Sequence, residues 1–360
     1  MARHPESPTR VDDDVGSDHP KRPGFVRRYR GWFVAFAALI AVLVGSGAGF
    51  ALLLNNSLSN IRHVPVTLDE AKRPTPTTSE ALNILMLGAD AGSARRSDDK
   101  SILDDASSGR WPVGKYRSDA TMVVHISADR ESVYVVSIPR DSYVKVLDAT
   151  GQQRSTTKVN AALSLYGPSG AIATVEELTR LRIDHLAMVD WDGFEEITDS
   201  LGGVSVTVRG HGTQNLKGKA ALTYVRDRFT VPNGDFDRVK RQQNFLRAVL
   251  IKLVDRGTLT NPFKLRSTVQ SVTSNLAVDE NWSSGQIRSL ALSMRNIRAA
   301  DVTFMTMPTK GTASDPVAGS IVVVDKLASR KLFDAMREDR VEQFVADHHD
   351  LLLGAPKSVY

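Results

Sequence analysis

"ATMVVHISADRESVYVVSIP", residues 120–139, joins two apolar runs, 120–127 and 132–139, through the polar tetrapeptide ADRE. Short valine- and isoleucine-rich runs broken by a charged turn read as two strands in a hairpin-like connection. Upstream, "LNILMLG" (82–88) is a third run of this kind and ends in glycine, as a buried strand does before a loop. Downstream the period changes. "AIATVEELTRLR" (171–182) has helical spacing, "HLAMVDW" (185–191) reads as a strand, "GFEEITDSLGG" (193–203) as a helix closed by glycines, and "VSVTV" (204–208) as a strand. Residues 238–254 form a further helix with Val239, Leu246, Val249, Leu250 and Leu253 on one stripe. "DVTFMTMP" (301–308) and "IVVVD" (321–325) supply late strands before a terminal helix around 326–345. Strands interleaved with helices predict one mixed α/β domain. It is expected to span 82–345, with 346–360 as a tail and no internal repeat.

The chain has 360 residues, 41% hydrophobic and 24% charged, with a formal net charge of +5. That is globular composition, sufficient for a sizeable core. The basic excess is uneven, since Lys21, Arg22, Arg27, Arg28 and Arg30 precede "GWFVAFAALIAVLVGSGAGFALLL" (31–54), which holds no charge. A helix of that length crosses a bilayer core. The alternative is a cleaved signal peptide, whose apolar region is shorter. The basic flank puts the N-terminus in the cytoplasm. The expectation is a single-pass cell-membrane protein: a disordered cytoplasmic tail (1–30), a transmembrane signal-anchor helix (31–54), a Pro/Thr-containing linker (55–81) and an extracytoplasmic domain. There is no cysteine, which excludes a thiol nucleophile, a thiolate metal site and disulfides.

"YVRDRFTVPNGDFDRVKRQQ" (224–243) holds Arg226, Arg228, Arg238, Lys240 and Arg241 among Asp227, Asp235 and Asp237, with no serine or histidine. A helix starting near Asp235 puts Arg238, Arg241, Gln242 and Phe245 on one face. Its first turns then favour an anion such as phosphate. The alternative is a solvated face whose arginines pair with the aspartates. Further charges stand at strand ends: Asp90 after the first strand, Arg117 and Asp119 before the second, Arg140 and Asp141 after the third. Strand ends and the loops beyond them are where α/β domains place their sites. Two aspartates meeting there are hard oxygen ligands, suited to Mg²⁺, or Mn²⁺ in its place, bound partly through phosphates. Each aspartate alone reads equally as a turn or cap residue. Lys158 and Asn160 mark another turn, and residues 91–118 read as a long polar loop.

"LNILMLGAD", "YRSDATMVVHIS", "VVSIPRDSYVKV", "KVNAALSLYGPSGA", "IDHLAMVDWDGFEEITDSLGGVSVTV" and "ALTYVRDRFTVPNGDFDRVKRQQ" occur in the order and approximate spacing of the LytR-CpsA-Psr family, which the chain resembles from about residue 82 to 345. The resemblance implies an αβα sandwich with a mixed sheet. It implies a membrane-anchored phosphotransferase that moves a glycopolymer from a polyprenyl diphosphate carrier to the muramic acid C6 hydroxyl of peptidoglycan. Carried over by position, Asp90 and Asp119 hold the metal, and Arg117, Arg140, Lys158, Arg226, Arg228, Arg238, Arg241 and Gln242 bind the diphosphate. Asp119, Arg140, Arg228 and Arg241 are then the residues closest to catalysis. Asp227 and Asp237 depart from the family, which has small residues there. A carrier lipid needs an apolar slot, and the helix carrying Phe245 or the 185–194 stretch could border it. Rival functions are a diphosphate hydrolase and a non-catalytic binder of anionic wall polymer. Nucleic acid is excluded by an outward-facing domain. The alanine- and arginine-rich composition suits an actinobacterium, in which arabinogalactan is the expected polymer.

Overall fold

The computed structural model describes residues 61–354 and 359, apart from 78, 91–100, 209, 228–230, 233, 254–261 and 295. In chain order the first elements are β1 (Arg62–Val64), β2 (Leu82–Asp90), α1 (Ile102–Ser107), β3 (Arg117–Ile126), β4 (Val133–Ile138), β5 (Tyr143–Leu147), β6 (Gln153–Lys158), α2 (Asn160–Thr179), β7 (His185–Asp190) and α3 (Trp191–Ser200). They are followed by β8 (Val204–Val208), β9 (Gly212–Leu216), α4 (Gly218–Arg226), α5 (Asp235–Leu253), α6 (Pro262–Ser274), β10 (Leu276–Asp279), α7 (Ser284–Ser293), β11 (Val302–Thr306), β12 (Thr309–Asp315), β13 (Gly319–Val324), α8 (Lys326–Arg337) and α9 (Val341–Asp347).

Seven strands form one mixed sheet in the order β1-β10-β7-β2-β3-β4-β11. The two-residue period of β2 sorts its side chains between two cores. Leu85, Leu87 and Ala89 pack under α2 and α8, against Leu163, Ile172, Leu332 and Phe333. Ile84 and Met86 turn to the other face, where Leu246 and Leu250 of α5 and Ile287 and Leu290 of α7 cover them. Helices on both faces make the αβα sandwich. Each fully buried leucine or isoleucine contributes about 1.5–3 kcal/mol relative to exposure. A third cluster, built from β8, β9, α4 and one side of α5, includes Val204, Val206, Tyr224 and Phe245.

Strand direction positions the site. β2 is parallel to β7 and antiparallel to β3, β3 is antiparallel to β4, and β4 is parallel to β11. The C-terminal ends of β2, β4, β7 and β11 therefore share one edge with the N-terminal end of β3.

Several boundaries differ from the sequence reading. The domain does not wait for Leu82. β1 adds an edge strand beside β10, Ile61 and Val64 are buried, and Arg73 grips the buried Glu176 through Nε and Nη2. Three residues of strand are too few to show a period, so a proline-dotted stretch hid them. Residues 91–118 are not a loop throughout. α1 buries Ile102, Leu103 and Ala106, and Tyr116 is fully buried. The tail beyond 345 also packs, with Leu353 N–H donating to Phe304 C=O at 2.8 Å and Val359 buried. "VSVTV" pairs with β9 and "IVVVD" with β12, outside the large sheet. The terminal helix is two, α8 and α9, parted at Asp339 with φ +52. α2 breaks at Gly167, whose φ of +66 and contact with the Trp111 ring leave no room for a Cβ. Among the described residues no helix is long and apolar enough to cross a membrane; residues 1–60, with the expected anchor, lie outside them.

Candidate active site

The shared edge begins with an irregularity. Gly88 pairs with Ala120, but Ala89 pairs with Ser118, so Asp119 is the extra residue of a β-bulge. Bulges re-aim side chains at sheet rims. Arg140, just beyond β4, donates from Nη1 to Asp119 Oδ1 at 2.5 Å. Its Nε lies 3.8 Å from Asp141 Oδ2, and Lys158 Nζ lies 3.3 Å from Asp141 Oδ1. Backbone bonds from Asn160 N–H to Arg140 C=O and from Val159 N–H to Ser142 C=O tie this turn to the end of β6. Lys158 thus closes a strand rather than lying in a turn. The result is a chain of alternating charge, Asp119–Arg140–Asp141–Lys158, with each side chain less than a quarter exposed.

The second group lies on α5. From Asp237 to Phe245 only Lys240 is exposed, so the face carrying Arg238, Arg241 and Gln242 is not a solvated one. The reason is packing: Leu246 and Leu250 join one core and Phe245 and Val249 another, leaving the helix wedged between them. Arg241, 8% exposed, donates from Nη1 to Asp227 Oδ2 at 2.9 Å, and its guanidinium stands 4.9 Å from the Tyr224 ring centroid. Burial pushes the Tyr224 phenol above its ordinary pKa, which keeps the ring neutral against the cation. Gln242 Nε2 donates to Val225 C=O. Gln243 Nε2 donates to Ser137 Oγ at 2.9 Å and to Met305 C=O at 2.6 Å. This amide pins the arginine helix to β4 and β11, at the end of the very strand that leads to Arg140.

Burying guanidiniums costs several kcal/mol per ion unless charge and hydrogen bonds compensate. For Arg241 the Asp227 carboxylate supplies such a partner, and the fork of a guanidinium also suits phosphate oxygens. Of the predicted residues, Asp119, Arg140 and Lys158 meet at the sheet edge, where Arg117 begins β3, and Arg238, Arg241 and Gln242 share the buried stretch of α5. Arg226 is exposed at the end of α4. Arg228 and the side chain of Asp90 lie outside the described residues. Phe245 is a core side chain, its ring centroid 5.1 Å from that of Phe194. The sequence reading left Asp141 as a mere strand-end charge and missed the placements of Tyr224 and Gln243. Tyr224 stood in the arginine segment, whereas nothing marked Gln243.

Of the two aspartates expected to hold a divalent cation, Asp119 stands at the bulge, where Arg140 donates to it. Asp90 ends β2 and pairs in register with Arg117, two positions from Asp119, and aspartate oxygens are hard ligands. Among the described residues no group of three His, Cys, Asp or Glu is placed to hold a metal ion.

Residues 54–338 match the model of the LytR_cpsA_psr family. The chain is 28% identical to the cell wall biosynthesis protein LcpA of Corynebacterium glutamicum over 81% of its length, and 33% identical to the probable cell wall biosynthesis protein LcpB of the same organism over 73%. It spans less than two thirds of these relatives, 62% and 64% of their lengths. It is 30% identical to the polyisoprenyl-teichoic acid–peptidoglycan teichoic acid transferase TagU of Bacillus mycoides, over 67% of this chain and 78% of that one. Among solved structures, a LytR-Csp2A-Psr enzyme from Actinomyces oris superposes with a TM-score of 0.57 at 22% identity, over 77% of this chain and 96% of that one. TagV of B. subtilis gives the same score and identity over 73% and 98%.

Proposed function

The chain belongs to the LytR-CpsA-Psr family, and from that premise we propose that it is a phosphotransferase joining a polyprenyl diphosphate-linked glycopolymer to peptidoglycan at the cell membrane. The observation that carries the reading is the tie between the two charged groups: Gln243 fastens the buried Arg238–Arg241 helix to β4, the strand that leads to Arg140.

In this reading Arg226, Arg228, Arg238 and Arg241 clamp the diphosphate, with Arg117, Arg140, Lys158 and Gln242 completing its binding. Asp90 and Asp119 would hold Mg²⁺, which when bound neutralises charge on the phosphate oxygens. The muramic acid C6 hydroxyl attacks the sugar-proximal phosphorus. A phosphorus–oxygen bond to the acceptor forms, the hydroxyl proton passes to a site carboxylate such as Asp119, the bridging bond breaks, and polyprenyl phosphate leaves. No protein nucleophile is needed, because positioning and charge stabilisation supply most of the barrier reduction in phosphoryl transfer. The alternating pattern around Asp119 and Asp141 holds the cations in place before substrate arrives. Arabinogalactan is the proposed polymer, and residues 31–54 the proposed anchor.

The test is the full chain in detergent with a synthetic polyprenyl diphosphate glycan, Mg²⁺ and nascent peptidoglycan oligomers, followed by mass spectrometry. A phosphodiester joining glycan to peptidoglycan is the expected product. Free glycan phosphate would make the protein a hydrolase, and binding without turnover would make it a polymer binder.

A further inference from the structure

The site edge has a second property that the chemistry above does not use. β10 runs antiparallel to β7, and β1 parallel to β10. Arg62 is thereby level with Met188, near the end of β7, and the chain enters β1 from the site edge, heading away from it. Seven Cα steps separate residue 54 from Ile61, which reach at most about 25 Å.

A hairpin projects at the same edge. Val322 N–H donates to Asp141 C=O, and Ser142 bridges Val322 in parallel, so β13 runs inward past the turn that carries Arg140. The residues before it, back to Gly319, extend outward by roughly 10 Å at about 3.3 Å per residue. The tip beyond them is Pro316, Val317 and Ala318. Val317 is 96% exposed, the highest value among the large hydrophobic residues described. Its backbone amides are satisfied locally, because the Asp315 carboxylate accepts at Oδ1 from both Val317 N–H and Ala318 N–H, at 2.9 and 2.8 Å. A tip that satisfies its own amides can enter a lipid interface without leaving them unpaired. Arg117, exposed at this edge, gives it a charge complementary to anionic headgroups.

We propose that the β12–β13 hairpin tip is a bilayer contact: Val317 and its neighbours sit in the interface of an anionic membrane and hold the site edge at headgroup level. The inference rests on reading 31–54 as the membrane span and the substrate as lipid-borne. It gives the tether a purpose, since a diphosphate on a lipid carrier lies at that level and the edge that receives it faces the bilayer.

Because the chain has no cysteine, Val317→Cys and Glu131→Cys each give a single thiol, the second in the turn between β3 and β4 at the opposite edge. The full-length variants, reconstituted in vesicles of phosphatidylglycerol and phosphatidylcholine, are labelled with an environment-sensitive fluorophore. The expected result is a blue-shifted emission at 317 that spin-labelled lipid quenches, with neither effect at 131. In parallel, Val317→Asp should slow transfer from vesicle-borne donor and leave transfer from a short-chain soluble donor unchanged. Vesicle flotation separates the premises. Protein that floats while 317 stays unquenched overturns this contact and spares the anchor. Protein that does not float removes the anchor and this inference with it. Quenching at 317 in a preparation without transferase activity supports the contact and rejects the proposed reaction. A label that responds to peptidoglycan fragments and not to lipid overturns the contact in favour of an acceptor-binding tip.

Discussion

Arg241→Ala is the sharpest test of the arginine clamp. The wild-type guanidinium is nearly inaccessible, lies 2.9 Å from Asp227 and stacks over Tyr224, so its direction is fixed before substrate arrives. Removing one partner from a buried, hydrogen-bonded charge pair costs on the order of 2–5 kcal/mol of binding. At about 1.4 kcal/mol per decade this is a roughly thirtyfold to several-thousandfold loss of kcat/KM for the diphosphate donor. The fold should survive, because Gln243, Phe245, Leu246 and Leu250 hold α5 independently of the guanidinium. Arg241→Lys keeps the charge but loses the planar fork and the ring contact, and should recover only part of the activity. The assay is donor-dependent transfer kinetics beside urea unfolding of the same preparations. A folded Arg241→Ala protein with wild-type kcat/KM would refute the clamp, and so would a loss matched in full by unfolding at the assay temperature.

Three other outcomes follow from the same geometry. Arg73→Ala strips the nearly buried Glu176 carboxylate of a two-pronged partner and should cost about 3–5 kcal/mol of stability, read from denaturant unfolding; an unchanged midpoint would return residues 61–75 to the role of a tether. His125 is fully buried between Asn83 and Asp339, and burial holds its pKa below the ordinary value despite Asp339. Its contribution is therefore present above the unfolded pKa of about 6.5 and declines as pH falls through that value, by up to about 1.4 kcal/mol per pH unit; His125→Gln should flatten stability against pH there, and an unaltered slope would sink the assignment. Chelation by EDTA should abolish transfer and Mg²⁺ restore it, with Asp119→Asn needing more metal for half-maximal rate; activity indifferent to both would remove the metal from the corner.

The large elements were legible because they are long enough to display a period. β2, β3 and β4 alternate or run apolar over six to ten residues, and α5 shows helical spacing for five turns. What escaped was either short or borrowed its stability from elsewhere. β1 is a three-residue strand that exists through pairing with β10, a partner more than two hundred positions away. α1 is a six-residue helix whose three buried side chains are diluted by serines and aspartates. The strands of β8 and β13 were recognisable as strands, but nothing local says which neighbour a strand will choose.

The site follows a different logic. Charges at strand ends could be read as a cluster because the alternation of elements already implied one common edge, and Asp119, Arg140 and Lys158 meet there. The character of the α5 face could not be read that way. By composition Arg238, Arg241, Gln242 and Gln243 belong to a surface, and a sequence period cannot tell water from a second core on that side. The third cluster, assembled from β8, β9 and α4, supplies the missing wall and converts a polar stripe into a buried one. That conversion gives the arginines their force: charge–charge interactions that water would screen to about 1 kcal/mol at 4 Å grow severalfold at a lower effective dielectric. Under the proposed function the small β8–β9–α4 unit matters as much as the bulge does. Substitutions that loosen it, such as Val206→Ala, should weaken donor binding without touching any residue proposed to bind phosphate, and donor titration at constant fold, checked by circular dichroism, would expose the error if affinity stayed at the wild-type value.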